Sequence, residues 1–221
     1  MKIAPRAAIL AMLLAAPLSG GCRRHHHRSS VIIPNSSGTV AGDFQSIADY
    51  LADPTVQFLL SHMPRHRGDT PPDAEGEYDS EGLIVRRTIP GTRVGDPVIG
   101  DFCFGSAAGS LIEVTIQDVT VVDAGAASFI EGSGDAFTIY TAFKSVQTQD
   151  DGTTCEIHEV NVFSGLRNAD GSLSDLFIGQ GIVGLIGNCG DLLAGDIQIS
   201  ENIADRVGAS CDGADPGSQP Q

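Results

Sequence analysis

Alternation of apolar and polar positions dominates the chain from about residue 80 onward. In the run 153–166, for example, Ile157 and Phe163 share one face of an extended strand, whereas Val160 and Val162 share the other. About eight such runs are rich in β-branched or aromatic residues and closed by Gly, Asp, Asn or Pro. They end at residues 89, 105, 125, 134, 149, 166, 187 and 200. The pattern predicts a mainly β domain.

Short turn sequences separate these runs. "GSGD", "DDG" and "NADG" are typical of hairpin connections, so consecutive strands are predicted to pair antiparallel. No helix-length apolar pattern alternates with the strands, which argues against a parallel sheet. We therefore expect an antiparallel up-and-down β-barrel of about eight strands, because closure removes exposed edges. A β-sandwich is the alternative.

A helical period precedes the strands. Over residues 43–63, apolar side chains recur at helical spacing on either side of Asp53 and Pro54. Asp43 and Asp53 are suitable N-cap residues, and Pro54 fits the first position of a helix. We predict two short amphipathic helices that pack on the β domain.

The first 21 residues have the pattern of an export signal. Lys2 and Arg6 precede the apolar run 7–18, which is too short to span a bilayer. The predicted organisation is a signal peptide over 1–21, a tether over 22–42, helices over 43–63, a β domain over 64–207 and a flexible tail over 208–221.

The small residues Ser19, Gly20 and Gly21 directly precede Cys22, and this junction resembles the lipobox of bacterial lipoproteins. The resemblance implies a diacylglycerol on the Cys22 thiol, cleavage before this residue and acylation of the new amine with a fatty acid such as palmitate. In the lipoprotein pattern a leucine usually occupies the place of Ser19. Because Arg23 is not the aspartate that signals retention in the inner membrane, the resemblance favours the outer membrane of the cell envelope.

Four cysteines remain when Cys22 is set aside: Cys103, Cys155, Cys189 and Cys211. An exported domain meets an oxidising compartment, so these four are possible disulfide partners with three possible connectivities. We favour pairing of Cys103 with Cys155 and of Cys189 with Cys211.

Charge restricts the partners. The formal net charge of −15 becomes −17 when Lys2 and Arg6 leave with the signal. Such an acidic body is repelled by nucleic acid and by anionic lipid, so no nucleic-acid partner is predicted. The basic run 23–28, "RRHHHR", is interpreted as a tether close to lipid headgroups, with metal capture by its histidines as the lesser alternative.

"GDTPPDAEGEY", "FIEGSGDAFTIYTAF" and "VNVFSGLRNADGSLSDLFIGQG" together resemble a group of uncharacterised secreted bacterial lipoproteins over about residues 66–187. The domains of that group are similar to lipocalin or calycin barrels. The opening motif of lipocalins has a tryptophan where this chain has Tyr78. The resemblance implies a lipocalin-like fold, an envelope address and no catalytic residues.

Three motifs suggest chemistry that their context does not support. "GQGIVG" over 179–184 lacks the following helix of a dinucleotide site, so its glycines are interpreted as tight strand packing or a bulge. "NADGSLSD" over 168–175 resembles a calcium loop, but Leu166 and Phe177 occupy key ligand positions, and a hairpin turn explains it better. His158 could serve a hydrolase only beside a carboxylate and a hydroxyl. We predict no catalytic residue, metal site or cofactor.

The sequence thus predicts a non-enzymatic envelope lipoprotein, held at the membrane by Cys22, that binds a small apolar ligand or an envelope component. The alternative is a structural or interaction module at the cell surface. An exposed apolar patch and a filled interior would favour the alternative, whereas a hollow barrel would favour the ligand.

Overall fold

The computed structural model describes residues 41–116, 121–122, 127–148 and 152–208, and for 121–122 it gives the strand pairing alone. The predicted signal peptide, Cys22, Cys211, most of the tether and nearly all of the tail lie outside the described residues.

Two short helices precede the sheet, as predicted. A 3-10 turn, Ala41–Asp43, leads into α1, Ile47–Ala52, and α2, Pro54–Leu60. Asp53 caps α2 by accepting hydrogen bonds from two backbone N–H groups of its first turn, and Pro54 opens the helix. The N-cap of α1 is Ser46 rather than the predicted Asp43, because the 3-10 turn delays the start of the helix.

Ten strands follow the helices. They are β1 (Asp69–Thr70), β2 (Gly76–Arg87), β3 (Pro97–Phe104), β4 (Val114–Ile116), β5 (Val121–Val122), β6 (Phe129–Ser133), β7 (Ala136–Thr148), β8 (Thr154–Arg167), β9 (Leu173–Gly187) and β10 (Ile197–Gly208). The mainly β prediction is confirmed. The single predicted strand that ends at residue 125 is instead divided into β4 and β5.

The strands form one sheet in the order β1-β6-β7-β8-β9-β10-β2-β3-β4, with β5 paired to β7. The pairs are antiparallel apart from β1 with β6. The hairpins β6–β10 and β2–β4 follow the predicted up-and-down order, and β10 joins the two groups by pairing with β2. A sandwich requires two sheets, whereas the described strands form one.

The strand ladders do not close the sheet, so the predicted barrel is not confirmed. Within the described residues the path ends at β1 and β4. Two backbone hydrogen bonds cross the remaining gap, from Ile112 N–H to Ser128 O (3.1 Å) and from Ile130 N–H to Ser110 O (2.8 Å). These two hydrogen bonds form one isolated bridge, between Leu111 and Phe129, rather than a strand pair.

The sheet nevertheless curls strongly. β3 and β8 are four strand positions apart, which would separate them by about 19 Å in a flat sheet. Phe102 of β3 and Phe163 of β8 have ring centroids 5.1 Å apart. Their shared face therefore folds onto itself, and we call it the inner face. Its buried cluster also contains Tyr78, Phe104 and Phe137.

The helices pack on the opposite, outer face. Two glycines of "GQGIVG" provide the space for α2 and the residues after it: a Cβ on Gly181 would lie 2.4 Å from Thr55 Cγ2, and one on Gly179 would lie 2.8 Å from Met63 Sδ. The interpretation of these glycines as tight packing is confirmed. The helices bury Ile197 and Ile199 of β10 but leave the later part of that strand exposed.

Candidate functional site

His158, the candidate base of a hydrolase, is buried where the start of the described chain contacts β8. We call this contact between Ala41 and His158 the clasp. The His158 Nδ1 accepts a hydrogen bond from Ala41 N–H (3.0 Å), so the ring hydrogen is on Nε2, which lies 2.8 Å from Glu156 Oε1. The Lys144 ammonium is 3.7 Å from the other Glu156 oxygen. A carboxylate is therefore present, but both ring nitrogens have partners and no hydroxyl is among the described contacts of His158.

Polar side chains form a row across the inner face. Thr141, Asn161, Gln180 and Gln198 are register partners on adjacent strands, β7 to β10, so their side chains lie on the same face. Asn161 is fully buried, and neither its Nδ2 nor its Oδ1 has a hydrogen-bond partner in the described structure. Sequence reasoning missed this row, because it depends on the register of four strands.

The interior beside this row is almost filled. The cavity lined by Asn161, Phe163, Gln180 and Gln198 offers about 20 Å³ to the centre of a water molecule. That volume holds about one water. This cavity therefore has no room for an apolar ligand of the size that a hollow barrel encloses.

Glu159 lies two residues from Asn161 on the same face of β8. The residue as a whole is partly exposed, but its carboxyl group is buried. This burial raises the pKa of Glu159 to about 7. A carboxyl that titrates near neutrality is a candidate acid or base, but Phe143 and Ile182 are its register partners and supply no chemistry.

A second titratable cluster fixes the loop after α2 to the sheet. Arg65 donates two hydrogen bonds to Glu131, at 2.6 and 3.1 Å, and the Tyr140 hydroxyl donates to the same carboxylate at 2.6 Å. Burial and the bonded carboxylate raise the pKa of Tyr140. All three side chains satisfy one another, so the cluster has a structural role.

An open groove of about 570 Å³ lies on the outer face of β10, β2 and β3. Its apolar centre contains Leu83, Val85, Ile99 and Ile203, which are between 40% and 57% exposed. Clustered apolar exposure of this kind is typical of interaction surfaces. The groove continues the outer face past the point where the helices stop covering β10.

Carboxylates alternate with these apolar side chains: Glu81 is the register partner of Ile203 and Ile99, and Glu201 is that of Leu83. Glu81 and Glu201 lie within the groove beside Asp175, and no Lys or Arg is among the described residues that line it. Asp175 has φ +46°, a left-handed conformation that Asp tolerates better than most residues. The groove therefore combines exposed apolar side chains with negatively charged ones. The alternation Glu81, Leu83, Val85 is visible in the sequence, but it did not reveal which face the helices would leave uncovered.

The "NADG" turn forms the predicted hairpin. Gly171 has φ +90°, and Asp170 accepts hydrogen bonds from the Ser172 hydroxyl (2.7 Å) and N–H (3.0 Å). These bonds lower the pKa of Asp170. Across the described residues no cluster of three or more His, Cys, Asp or Glu side chains is placed to hold a metal ion.

The favoured disulfide pairing is wrong. Cys155 is bonded to Cys189, and Cys103 is also disulfide-bonded. The cause is the β8–β9 register: Cys155 lies opposite Gly187, which brings Cys189 two residues later to a Cα–Cα distance of 4.9 Å. Cysteine order along the chain does not carry this information.

Comparison of the chain with protein-family models, curated proteins and solved structures found no match. The resemblance to secreted lipoproteins with lipocalin-like domains therefore stays a prediction. No helix among the described residues has both the length and the apolar character needed to cross a membrane.

Proposed function

We propose that this chain is a non-enzymatic interaction module of the bacterial cell envelope, held at a membrane by acylated Cys22, and that the groove on β10, β2 and β3 is its docking surface. The observation that carries the proposal is the exposed apolar centre of this groove, combined with an inner-face cavity that has space for about one water. These are the two features that distinguish an interaction module from a ligand-binding barrel. The proposed fold is an up-and-down barrel left open between β4 and the edge formed by β1 and β6.

The occupant of the groove is a polypeptide segment that carries both basic and apolar side chains. Apolar side chains would cover Leu83 and Ile203, while Lys or Arg would pair with Glu81 and Glu201. A second copy of this chain would instead bring like charges together, which disfavours self-association through this face.

The partner binds through side chains rather than by adding a strand. β2 lies between β10 and β3, and β10 lies between β9 and β2, so the backbone groups of both are already paired. Specificity therefore depends on the groove's alternation of apolar and acidic positions. This surface is unsuited to nucleic acid because it presents negative charge to a polyanion.

The test measures binding of a short synthetic peptide of alternating arginine and leucine to the full chain by isothermal titration calorimetry. A peptide of alternating glutamate and leucine is the control ligand. We expect saturable binding of the basic peptide alone. The double variant Leu83→Ser, Ile203→Ser should weaken it about tenfold or more, because each apolar side chain contributes more than 1 kcal/mol when covered.

Leu111→Ser is the matched control variant, since Leu111 is also about half exposed but lies outside the groove. Equal loss of affinity in this control, or no loss in the groove variant, contradicts the docking surface. Native mass spectrometry of the purified chain adds a further outcome. If an apolar small molecule co-purifies with the unsubstituted chain but not with the groove variant, the occupant of the groove is that small molecule and not a polypeptide.

The membrane address is tested separately by the mass of the N-terminal peptide of the mature protein. We expect an acylated Cys22 at its first position. A free thiol there, or an intact signal peptide, contradicts the anchor and leaves the groove proposal to be judged on its own experiment.

A further inference from the structure

One end of the sheet gathers three hairpin connections. β2, β7 and β9 end there, and β3, β8 and β10 begin there, so the described connections 88–96 and 188–196 lie at this end, as does the junction of β7 with β8. We call it the tip end. The two longer connections carry apolar residues in exposed positions.

The first of these connections holds Val94 exposed by a defined turn. Asp96 N–H donates to Arg93 O (3.1 Å), and the Asp96 carboxylate accepts from Arg93 N–H (2.6 Å). Gly95, at φ +91°, donates to Ile84 O at 2.8 Å. Val94 is 65% exposed. Because hydrogen bonds fix the turn on both sides of Val94, the fold itself holds this side chain in an exposed position.

The second connection repeats the same turn. Asp196 N–H donates to Leu193 O (3.0 Å), and its carboxylate accepts from Leu193 N–H (2.9 Å). Gly195 also has φ +91° and donates to Ile182 O at 2.6 Å. Leu193 is 55% exposed, and Ile186 nearby on β9 is also more than half exposed. Two turns of one design thus present apolar side chains at the same end.

The chain enters the body at this end. Ala41 is fixed to His158, which lies in the half of β8 next to the tip end. The 18 residues between Cys22 and Ala41 span at most about 60 Å when extended, so an anchor at Cys22 holds the body within that distance of the membrane, and the tip end is where the anchored chain joins the body.

We propose that the tip end rests on the lipid surface to which the chain is anchored, with Val94 and Leu193 inserted between the headgroups. The inference rests on the proposed anchor at Cys22. It deepens that proposal by giving the body a fixed orientation, in which the groove faces sideways and stays accessible. The acidic body makes the contact apolar rather than electrostatic, since charge attraction to anionic lipid is unfavourable.

The experiment uses the absence of tryptophan from the chain. Val94→Trp and Leu193→Trp each place a single fluorophore at the tip end, and Leu83→Trp places one in the groove as a matched control. Each acylated full chain is reconstituted into phosphatidylcholine vesicles with brominated acyl chains. We expect a blue-shifted emission quenched by bromine for both tip variants, unchanged at high salt, and an unquenched emission for the groove variant.

Flotation of the unsubstituted chain with the vesicles tests the anchor itself. If that chain floats but both tip tryptophans stay unquenched, the inference is wrong while the anchor stands. Quenching of the groove tryptophan to the same degree as the tips also overturns the proposed orientation. If the unsubstituted chain does not float, the anchor fails, and the inference falls with it.

Discussion

At the scale of single residues, the buried amides of Asn161 and Asn202 are unusual, because neither atom of either amide has a hydrogen-bond partner in the described structure. Each unpartnered buried polar atom costs about 1–3 kcal/mol, and Asn161 carries two of them beside a water-sized cavity. Such a cost is tolerated where the side chain has a functional role, or where a bound molecule supplies the missing hydrogen bonds.

Asn161→Leu separates these two explanations. With no bound molecule, the apolar replacement removes the desolvation cost, and the free energy of unfolding should stay level or rise by about 1 kcal/mol in urea titrations. A decrease of more than about 2 kcal/mol would show that the amide is satisfied in solution, which means that the cavity holds an ordered guest. Asn188→Leu, at an exposed turn position, controls for loss of the amide itself.

Glu159 predicts a pH dependence of stability with a definite sign. Its folded pKa of about 7 lies above its ordinary value of 4.5. Between these two values the folded chain binds more protons than the unfolded chain, so the free energy of unfolding falls as pH rises through this window. Glu159→Gln should remove this decrease. A difference between the two proteins that stays constant from about pH 4 to about pH 8 would contradict the buried carboxyl.

At the scale of elements, local signals were sufficient for the helices and hairpins. Asp53 with Pro54 marks the start of α2, and "NADG" marks a turn, because capping and positive φ act within a few residues. The division of the run 110–125 into β4 and β5 was not predictable in this way. These two strands pair with β3 and β7, and the sequence contains no local mark of that change of partner.

The close packing of α2 on β9 leads to a prediction about contacts between elements. Gly181→Ala should lower the free energy of unfolding by about 1–3 kcal/mol, because the new Cβ collides with Thr55 Cγ2. Thr55→Ser removes that methyl group, so the double variant should recover much of the loss. Additive losses in this double-mutant cycle, measured by chemical denaturation, would show that the two sites do not touch.

At the scale of the whole molecule, the sequence predicted the class of fold but not its surfaces. The packing of α2 on Gly179 and Gly181 determines which half of the outer face the helices cover. The groove lies on the half that they leave uncovered. The Cys155–Cys189 bond likewise follows from strand register. Both depend on residues distant in sequence, whereas composition and periodicity report only on near neighbours.

The clasp at His158 determines how firmly the tether meets the body. Ala41 N–H has the imidazole Nδ1 as its acceptor, and the turn Ala41–Asp43 packs on β7 and β8 beside it. His158→Phe keeps a ring of similar size but removes the acceptor, so the amide of Ala41 should exchange its hydrogen about tenfold faster or more, while the amides of β8 and β9 keep their protection. Glu156→Gln retains an acceptor for Nε2 and should leave Ala41 protected. Faster exchange throughout the sheet in His158→Phe would instead show that the histidine supports the body as a whole, and the tether would then lack a separate point of attachment.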